Sequence, residues 1–174
     1  LVRNWRPWAK LGVHEISAPM SFHCRVKLDY PVSLGRYRHA HDPSEPMCLH
    51  LVHVPNDSNP GLEARNQFRV GRMKLLEMTF ADFETQIRAD LDRMLGPGGF
   101  SSARDIAAIT VNRWSHGYSY AANSLFDGPE HESVIEVARQ PAGRVSIANS
   151  DAAWDAYAHS AIDEADRAVR ELLR

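Results

Sequence analysis

The sequence predicts an α+β chain in which antiparallel strands are combined with amphipathic helices. Three observations predict it. Phe22, Cys24, Val26 and Leu28 alternate with polar residues, the period of a half-buried strand. Phe80, Phe83, Ile87, Leu91 and Leu95 recur at helical spacing behind a polar Thr79. Near the C-terminus a short apolar segment, Arg144–Ala148, runs through Asn149-Ser150-Asp151 into a long helical pattern.

Taken in order, the strand-like spacing starts at Val13 and Ile16 and continues to Leu28, before Tyr30-Pro31 ends it. Ser33 to Pro46 is rich in Gly, Pro, His, Asp and Ser and reads as a loop. Met47 to Val54 is a nearly continuous apolar strand, closed by the turn Pro55-Asn56-Asp57-Ser58-Asn59-Pro60. Gly61 to Glu77 is helical, with an imperfect stripe of Leu62, Phe68, Met73, Leu75 and Leu76. A helix over 79–95 follows, with Thr79 as N-cap and Asp82 three residues on. Gly96 suits the left-handed position after it. Ile106 to Trp114 reads as a strand, Asp127-Gly128-Pro129-Glu130 as a turn, and Ser133 to Val137 as a short strand. Arg144 to Ala148 is expected as a strand with Val145 and Ile147 on one face. The final helix is expected over 153–173, with Tyr157, Ala161, Ile162, Ala165, Ala168, Val169 and Leu172 inward. Most of these are small, so the helix can lie close to a flat surface.

Composition narrows the function. The 174 residues are 44% hydrophobic and 24% charged, which excludes a disordered or collagen-like chain. A chain of this length can bury about 70% of its unfolded surface. No run of about 18 apolar residues is present, so no membrane span is expected. The net charge of −2 gives no support for nucleic acid or an anionic membrane surface as partner. The basic residues are 17 Arg and 3 Lys. Cys24 and Cys48 make neither a disulfide framework nor a four-ligand zinc site. On apolar strand faces they read as small buried hydrophobes. The chain opens Leu1-Val2-Arg3-Asn4-Trp5, with no targeting signal, and reads as a piece of a longer protein.

The segment that carries chemistry is the C-terminal corner. A helix N-terminus presents amides without internal partners and a partial positive charge. A carboxylate at the strand end can hydrogen-bond a sugar or polyol hydroxyl. On spacing alone the same residues read first as caps, with Asp151 or Asp155 satisfying the free N–H groups.

Gly143-Arg144-Val145-Ser146-Ile147-Ala148-Asn149-Ser150-Asp151, followed by Ala156-Tyr157-Ala158-His159-Ser160-Ala161-Ile162-Asp163, resembles the C-terminal flavin motif of FAD-dependent amine oxidases. That motif reads G-R-(apolar)-x-(apolar)-A-G-(E/D), then G-(W/Y)-x-(E/D)-G-A-(I/V). Arg113-Trp114 and Gly117-Tyr118-Ser119 resemble the family's R-W and G-x-Y-S signals, in the same order. The phrases V-N-R-W-x-H-G-Y and I-A-N-S-D-A are similar to the spermidine dehydrogenase-like branch. The likeness covers most of the chain and is sharpest from Asp105 to Leu172.

The resemblance implies a fold and a site. Residues 1–110 would be mostly substrate domain. Residues 111–174 would form the strand–helix return to a GR2-type FAD-binding fold, incomplete here. Asp151 would bond the ribityl or pyrophosphate region. The amide of Ala158 would face the pyrimidine edge of the isoalloxazine, where reduced flavin carries negative charge. Tyr157 would stand next to the ring and Trp114 would pack near it. Trp114, Asn149, Ser150, Asp151, Tyr157 and Ala158 thus form the implied cofactor-binding set, with no metal and no catalytic residue named.

The chain also departs from the family pattern. A-N-S-D replaces A-G-(E/D), so Ser150 or Asp151 holds the acidic place. His159 stands where Asp or Glu is common, and Ser160 replaces a glycine. The G-x-G-x-x-G turn that holds the pyrophosphate is absent from these residues. A missing N-terminal FAD-binding segment of the same polypeptide is therefore an expected partner, beside a small-molecule amine.

Other constellations point less far. His39, His41, His50 and His53 invite a metal, but His50 and His53 fall on opposite strand faces. Lys27 alternates with Val26 and Leu28 and leaves their face, which argues against a lysine beside flavin N5. The expected function is hydride transfer from an amine or polyamine to FAD, the fragment alone being inactive. Two alternatives stay open: a non-catalytic interaction domain, and a same-fold flavoprotein with a non-amine substrate. Electron acceptor, oligomeric state and compartment stay open too.

Overall fold

The apolar alternation of residues 22–28 and 47–54 is satisfied by a three-stranded antiparallel sheet. In the computed structural model, which describes residues 1–56, 59, 61–123, 125 and 127–173, β1 (Glu15–Ser17), β2 (Arg25–Leu28) and β3 (Leu49–Val52) lie in the order β1-β2-β3. The register sets Ile16 beside Val26 and Val26 beside Leu51, with Leu28 opposite Leu49. All five point to the core. The other face carries Glu15, Lys27 and His50 in one row, and an Arg25–Glu15 ion pair at 2.6 Å. The spacing 13–29 thus resolves into a hairpin rather than one strand. The chain reverses between β1 and β2, where Ala18 N–H bonds to Cys24 O.

The chain divides into two units, Leu1–Arg113 and Trp114–Arg174. In the first, helix α1 (Arg6–Leu11) delivers Trp8, which is fully buried. Helices α2 (Ala64–Glu77) and α3 (Phe80–Leu95) follow. The turn expected at 55–60 involves Asp57, Ser58 and Pro60, which lie outside the described residues. Helix α3 starts as its sequence dictates. Asp82 N–H bonds to Thr79 Oγ1 and Thr79 N–H bonds to Asp82 Oδ2, a reciprocal box that satisfies two free amides. Its Phe83, Ile87, Leu91 and Leu95 join Val2, Trp8, Val26, Met47 and Phe100 in the core. Phe80, expected on this face, is about half exposed. Gly96 is not left-handed. It continues into a 3₁₀ turn, Gly96–Gly98, and Gly99 takes the positive φ of 95°. A short α4 (Ser102–Asp105) precedes residue 106.

The strand expected over 106–114 does not form. Val2 is paired with both Met47 and Ile106, and the amides of Ala107 and Ala108 go to Leu1 O. Beyond that bridge, Ile109 and Val111 reach the core by packing instead of by a ladder. Cys24 is half-buried, its thiol bonded to Val52 O, and Cys48 is exposed, contrary to the reading of both as buried.

The second unit overturns three expectations. Residues 133–137 lie in a helix, α5 (His131–Ala138): among the described residues no strand lies beside them to receive their amides, and Ser133 Oγ bonds to Glu130 O in the first turn. Residues 144–148 form no strand. Ala142 and Val145 close a tight turn at Gly143, whose φ is +61°. Ser146 and the carbonyl of Ile147 then bond to the side chains of Glu171 and Arg167. The final helix, α6 (Ala158–Leu172), starts five residues later than expected. A separate 3₁₀ turn, Ser150–Ala152, and a left-handed Trp154 intervene.

Helix α6 is also rotated relative to expectation. Its buried residues are Ser160, Glu164 and Ala168, while Tyr157, Ile162, Ala165, Val169 and Leu172 are exposed. Glu164 accepts from Arg139 at 2.5 Å and Arg167 at 2.8 Å, and Arg167 also reaches Glu171 at 2.7 Å. A carboxylate is buried only when paired, so this network holds Glu164 inward beside Ser160 and Ala168. Among the described residues no helix is long and apolar enough to cross a membrane.

A buried polar pair ties the hairpin to α3. His23 Nδ1 lies 2.8 Å from Asp90 Oδ2, which also accepts the His23 backbone N–H at 3.0 Å. Arg93 holds the other carboxylate oxygen at 2.6 Å. Burial lowers the His23 pKa below the ordinary 6.5, against the opposing pull of Asp90. Between the two values the unfolded chain binds the extra proton, so stability rises with pH there and falls on acidification below 6.5. The melting temperature is expected to drop between about pH 7 and pH 5, and His23→Gln to flatten that slope. An equal slope in the variant would refute this role.

Gly71 sits in α2 where a Cβ would lie 2.0 Å from Pro55 O. Helix propensity alone favours Gly71→Ala by up to about 1 kcal/mol. The clash with backbone is expected to reverse the sign, destabilising by about 1–3 kcal/mol in chemical denaturation.

Candidate functional site

Two sequence phrases about thirty residues apart meet in the second unit. His116, Gly117, Tyr118 and Ser119 face Asn149, Ser150, Asp151 and Ala156 across a cleft of about 190 Å³. The walls are mostly polar. Tyr120 anchors the first segment: its hydroxyl bonds to Asp127 at 2.6 Å, and its ring meets Trp154 edge-on at 5.2 Å. The Ser119 hydroxyl oxygen is buried without a hydrogen-bond partner among the described residues. Such an atom is costly unless something completes it.

The second wall is built on strain. Asn149 has φ 80° and ψ 164°, a region that only glycine adopts freely. Its side chain compensates by accepting from Ser150 N–H at 2.7 Å. The 3₁₀ turn then brings Asp151 to the cleft with its side chain exposed.

Neither carboxylate caps α6. Tyr157, at the N-cap, is extended and makes no side-chain cap bond, and among the described residues no side chain bonds the leading amides. Asp155 instead accepts the hydroxyl of Ser160. The reading of Asp151 or Asp155 as a cap for this helix is therefore not met. Tyr157 is exposed and stacks on His159 at 5.5 Å.

Of the six residues singled out in the sequence, Asn149, Ser150 and Asp151 line the cleft. Tyr157 and Ala158 lie just beyond Ala156 at the start of α6, and Trp114 is exposed outside the lining. His116 was not singled out as a site residue, although it precedes the Gly117-Tyr118-Ser119 signal, and Ser119 was named only as part of that signal. The His23–Asp90 pair was also missed. Its signal was an acid at position 90, inside the apolar stripe of Phe83, Ile87 and Leu91.

Elsewhere, Lys27 is on the outer sheet face, 2.5 Å from the Tyr30 hydroxyl and over its ring. This contact lowers the Tyr30 pKa. His50 pairs with Asp29 at 3.0 Å, and His53 stacks on Phe22. Among the described residues no three His, Cys, Asp or Glu side chains converge to hold a metal. An apolar hollow of about 70 Å³, lined by Leu1, Leu49, Leu51, Ile87, Leu91 and Ile106 among others, lies in the first unit. No protein-family model matches the chain, and no curated protein matches it.

The strain at Asn149 is testable. Asn149→Gly and Asn149→Ala both lose the bond to Ser150, but only glycine relieves the backbone. The glycine variant is expected to be the more stable of the two by about 1 kcal/mol, after its entropic cost. Equal melting temperatures would argue that the positive φ carries no strain.

Proposed function

We propose that these residues supply one wall of an FAD site in an amine- or polyamine-oxidising oxidoreductase, completed by a dinucleotide-binding segment that the 174 residues do not contain. The observation that carries the proposal is the cleft: the G-x-Y-S-like segment and the A-N-S-D segment, which bear the family resemblance separately, line it together. Three features support it. Asn149 has a positive φ at the place where the family pattern has glycine. The Ser119 hydroxyl has no hydrogen-bond partner among the described residues. The N-cap of α6, Tyr157, makes no side-chain bond to the first amides of the helix.

The cofactor, when bound, supplies the hydride acceptor. The chain's part is to bind and orient. Asp151 offers a carboxylate to a sugar or ribityl hydroxyl, and Ser119 and Ser150 offer hydroxyls to the same polar portion. The amide of Ala158 supplies partial positive charge to an anionic ring edge. Tyr157 and Trp114, both exposed, offer aromatic surface beside it. A cleft of about 190 Å³ is smaller than the roughly 300–1,000 Å³ of a complete ligand pocket. It fits part of the cofactor, in keeping with a site shared between two segments. The exposed Val145, Ile147, Ile162 and Val169 also leave apolar surface for that second segment.

The alternative of a non-catalytic interaction domain draws on the same outward apolar face of α6. The two part on one measurement. The polypeptide containing this chain, isolated from its native source, is expected to carry the visible absorption of oxidised flavin and to bleach anaerobically with a polyamine. Asp151→Ala removes a charge-assisted hydrogen bond and is expected to weaken FAD binding about ten-fold. A colourless protein, or unchanged occupancy in the variant, would count against the flavin reading. Bound flavin that no amine bleaches would point to a non-amine substrate.

A further inference from the structure

Two nucleophilic side chains touch at the end of β2. Lys27 Nζ donates to the Tyr30 hydroxyl at 2.5 Å and lies 3.9 Å from the centre of its ring. The backbone beneath them is held. Tyr30 N–H donates to Asp29 Oδ1 at 2.9 Å, and Tyr30 O accepts from Val32 N–H at 2.8 Å. Asp29 Oδ1 is also 3.0 Å from His50 Nε2, and His50 stands opposite Lys27 in the β2–β3 register. Pro31 disfavours helical backbone at Tyr30. The phenol is nevertheless accessible, Tyr30 being 62% exposed. The Lys27 ammonium favours the phenolate by its hydrogen bond and its charge. Arg25 adds to this and Glu15 opposes it, and the Tyr30 pKa falls below the ordinary 10.

We propose that this pair is an acyl-acceptor site, in which Tyr30 takes an acyl group from an activated ester and passes it to Lys27. In the first step the Tyr30 phenol loses its proton to water and its oxygen bonds the acyl carbon. The donor's leaving group departs with the electron pair of the broken bond. Esterification removes the negative charge beside Lys27. Lys27 then gives one proton to water, and its nitrogen attacks the same carbonyl. The C–N bond forms, the ester C–O bond breaks, and the released phenolate oxygen takes a second proton from the nitrogen. An amide on Lys27 and a free phenol on Tyr30 remain. The nitrogen and oxygen are already in hydrogen-bond contact, so the transfer needs no second encounter. The amide is the more stable product, which gives the transfer its direction.

The test is incubation of the purified chain with p-nitrophenyl acetate at mildly alkaline pH, with the modified residues located by peptide mass spectrometry. The other lysines, Lys10 and Lys74, serve as references within the same molecule. Lys27 is expected to be acetylated about ten-fold or more faster than either. Tyr30→Phe keeps the ring and removes the oxygen, and is expected to bring Lys27 down to the rate of the references. Lys27→Arg keeps a cation and removes the acceptor, and is expected to strand the acetyl group on Tyr30 as an ester that hydroxylamine removes. Neither side chain belongs to the core, so both variants are expected to keep the far-ultraviolet circular dichroism of the parent. Equal acetylation of all the lysines would overturn the proposal. So would an unchanged Lys27 rate in Tyr30→Phe, which would mean direct attack by the amine. No ester on Tyr30 in Lys27→Arg, or an ester that stays on Tyr30 in the unaltered chain, would overturn it as well.

Discussion

Glu164 is the pivot of the second unit. Its carboxylate is buried between Arg139 and Arg167, and a buried charge is tolerated only with such partners. Removing either arginine would leave one buried carboxylate oxygen without its partner, so the network fixes the rotation of α6 about its axis. Other features follow from that rotation. The side chain of Arg167 reaches the carbonyls of Arg139 and Ile147, and Glu171 takes Ser146. The segment before the cleft is thereby held by the helix side chains and has no need of a strand partner. Ile162, Val169 and Leu172 of α6 are turned outward, while Ala168, expected inward, is buried.

The first unit is built on the opposite arrangement. There an apolar sheet face meets the apolar stripe of α3, and polar groups enter only where they are paired. His23 and Asp90 show how such a pair gains specificity. The carboxylate accepts from a ring nitrogen and a backbone amide of the hairpin and from Arg93 of its own helix. These bonds require one position of the hairpin along α3, which dispersive packing of Val26 or Leu91 does not.

Net charge hides the distribution that a folded surface presents. A value of −2 gives no reason to expect an anionic partner, and the sum is correct. Folding nevertheless decides which side chains of α2 are exposed, because Gly71 and Leu75 face inward while Phe68, Met73 and Leu76 are about half exposed. The steric demand at Gly71 therefore chooses which residues meet solvent. In the same way Asn149, in a conformation that costs energy, aims Ser150 and Asp151 at the cleft, where the His116–Ser119 segment completes the wall.

Local rules were legible in the sequence wherever they were strong. The Thr79–Asp82 box starts α3 where the residues say it should, the period-two apolar residues give antiparallel strands, and the loop over 33–46 has no regular element. The motif segments 117–119 and 149–151 could be named, but not brought together, because their meeting depends on Tyr120, Asp127 and Trp154. The failures share one cause. Val134, Ile135 and Val137, and again Val145 and Ile147, have strand propensity, yet a strand needs a neighbour to take its amides, and none is supplied there. The side of α6 that turned inward was likewise hidden, since apolar periodicity marks a face but not its direction. Only the tertiary structure, by pairing Glu164 with two arginines, decided that the line Ser160, Glu164 and Ala168 would be the buried one.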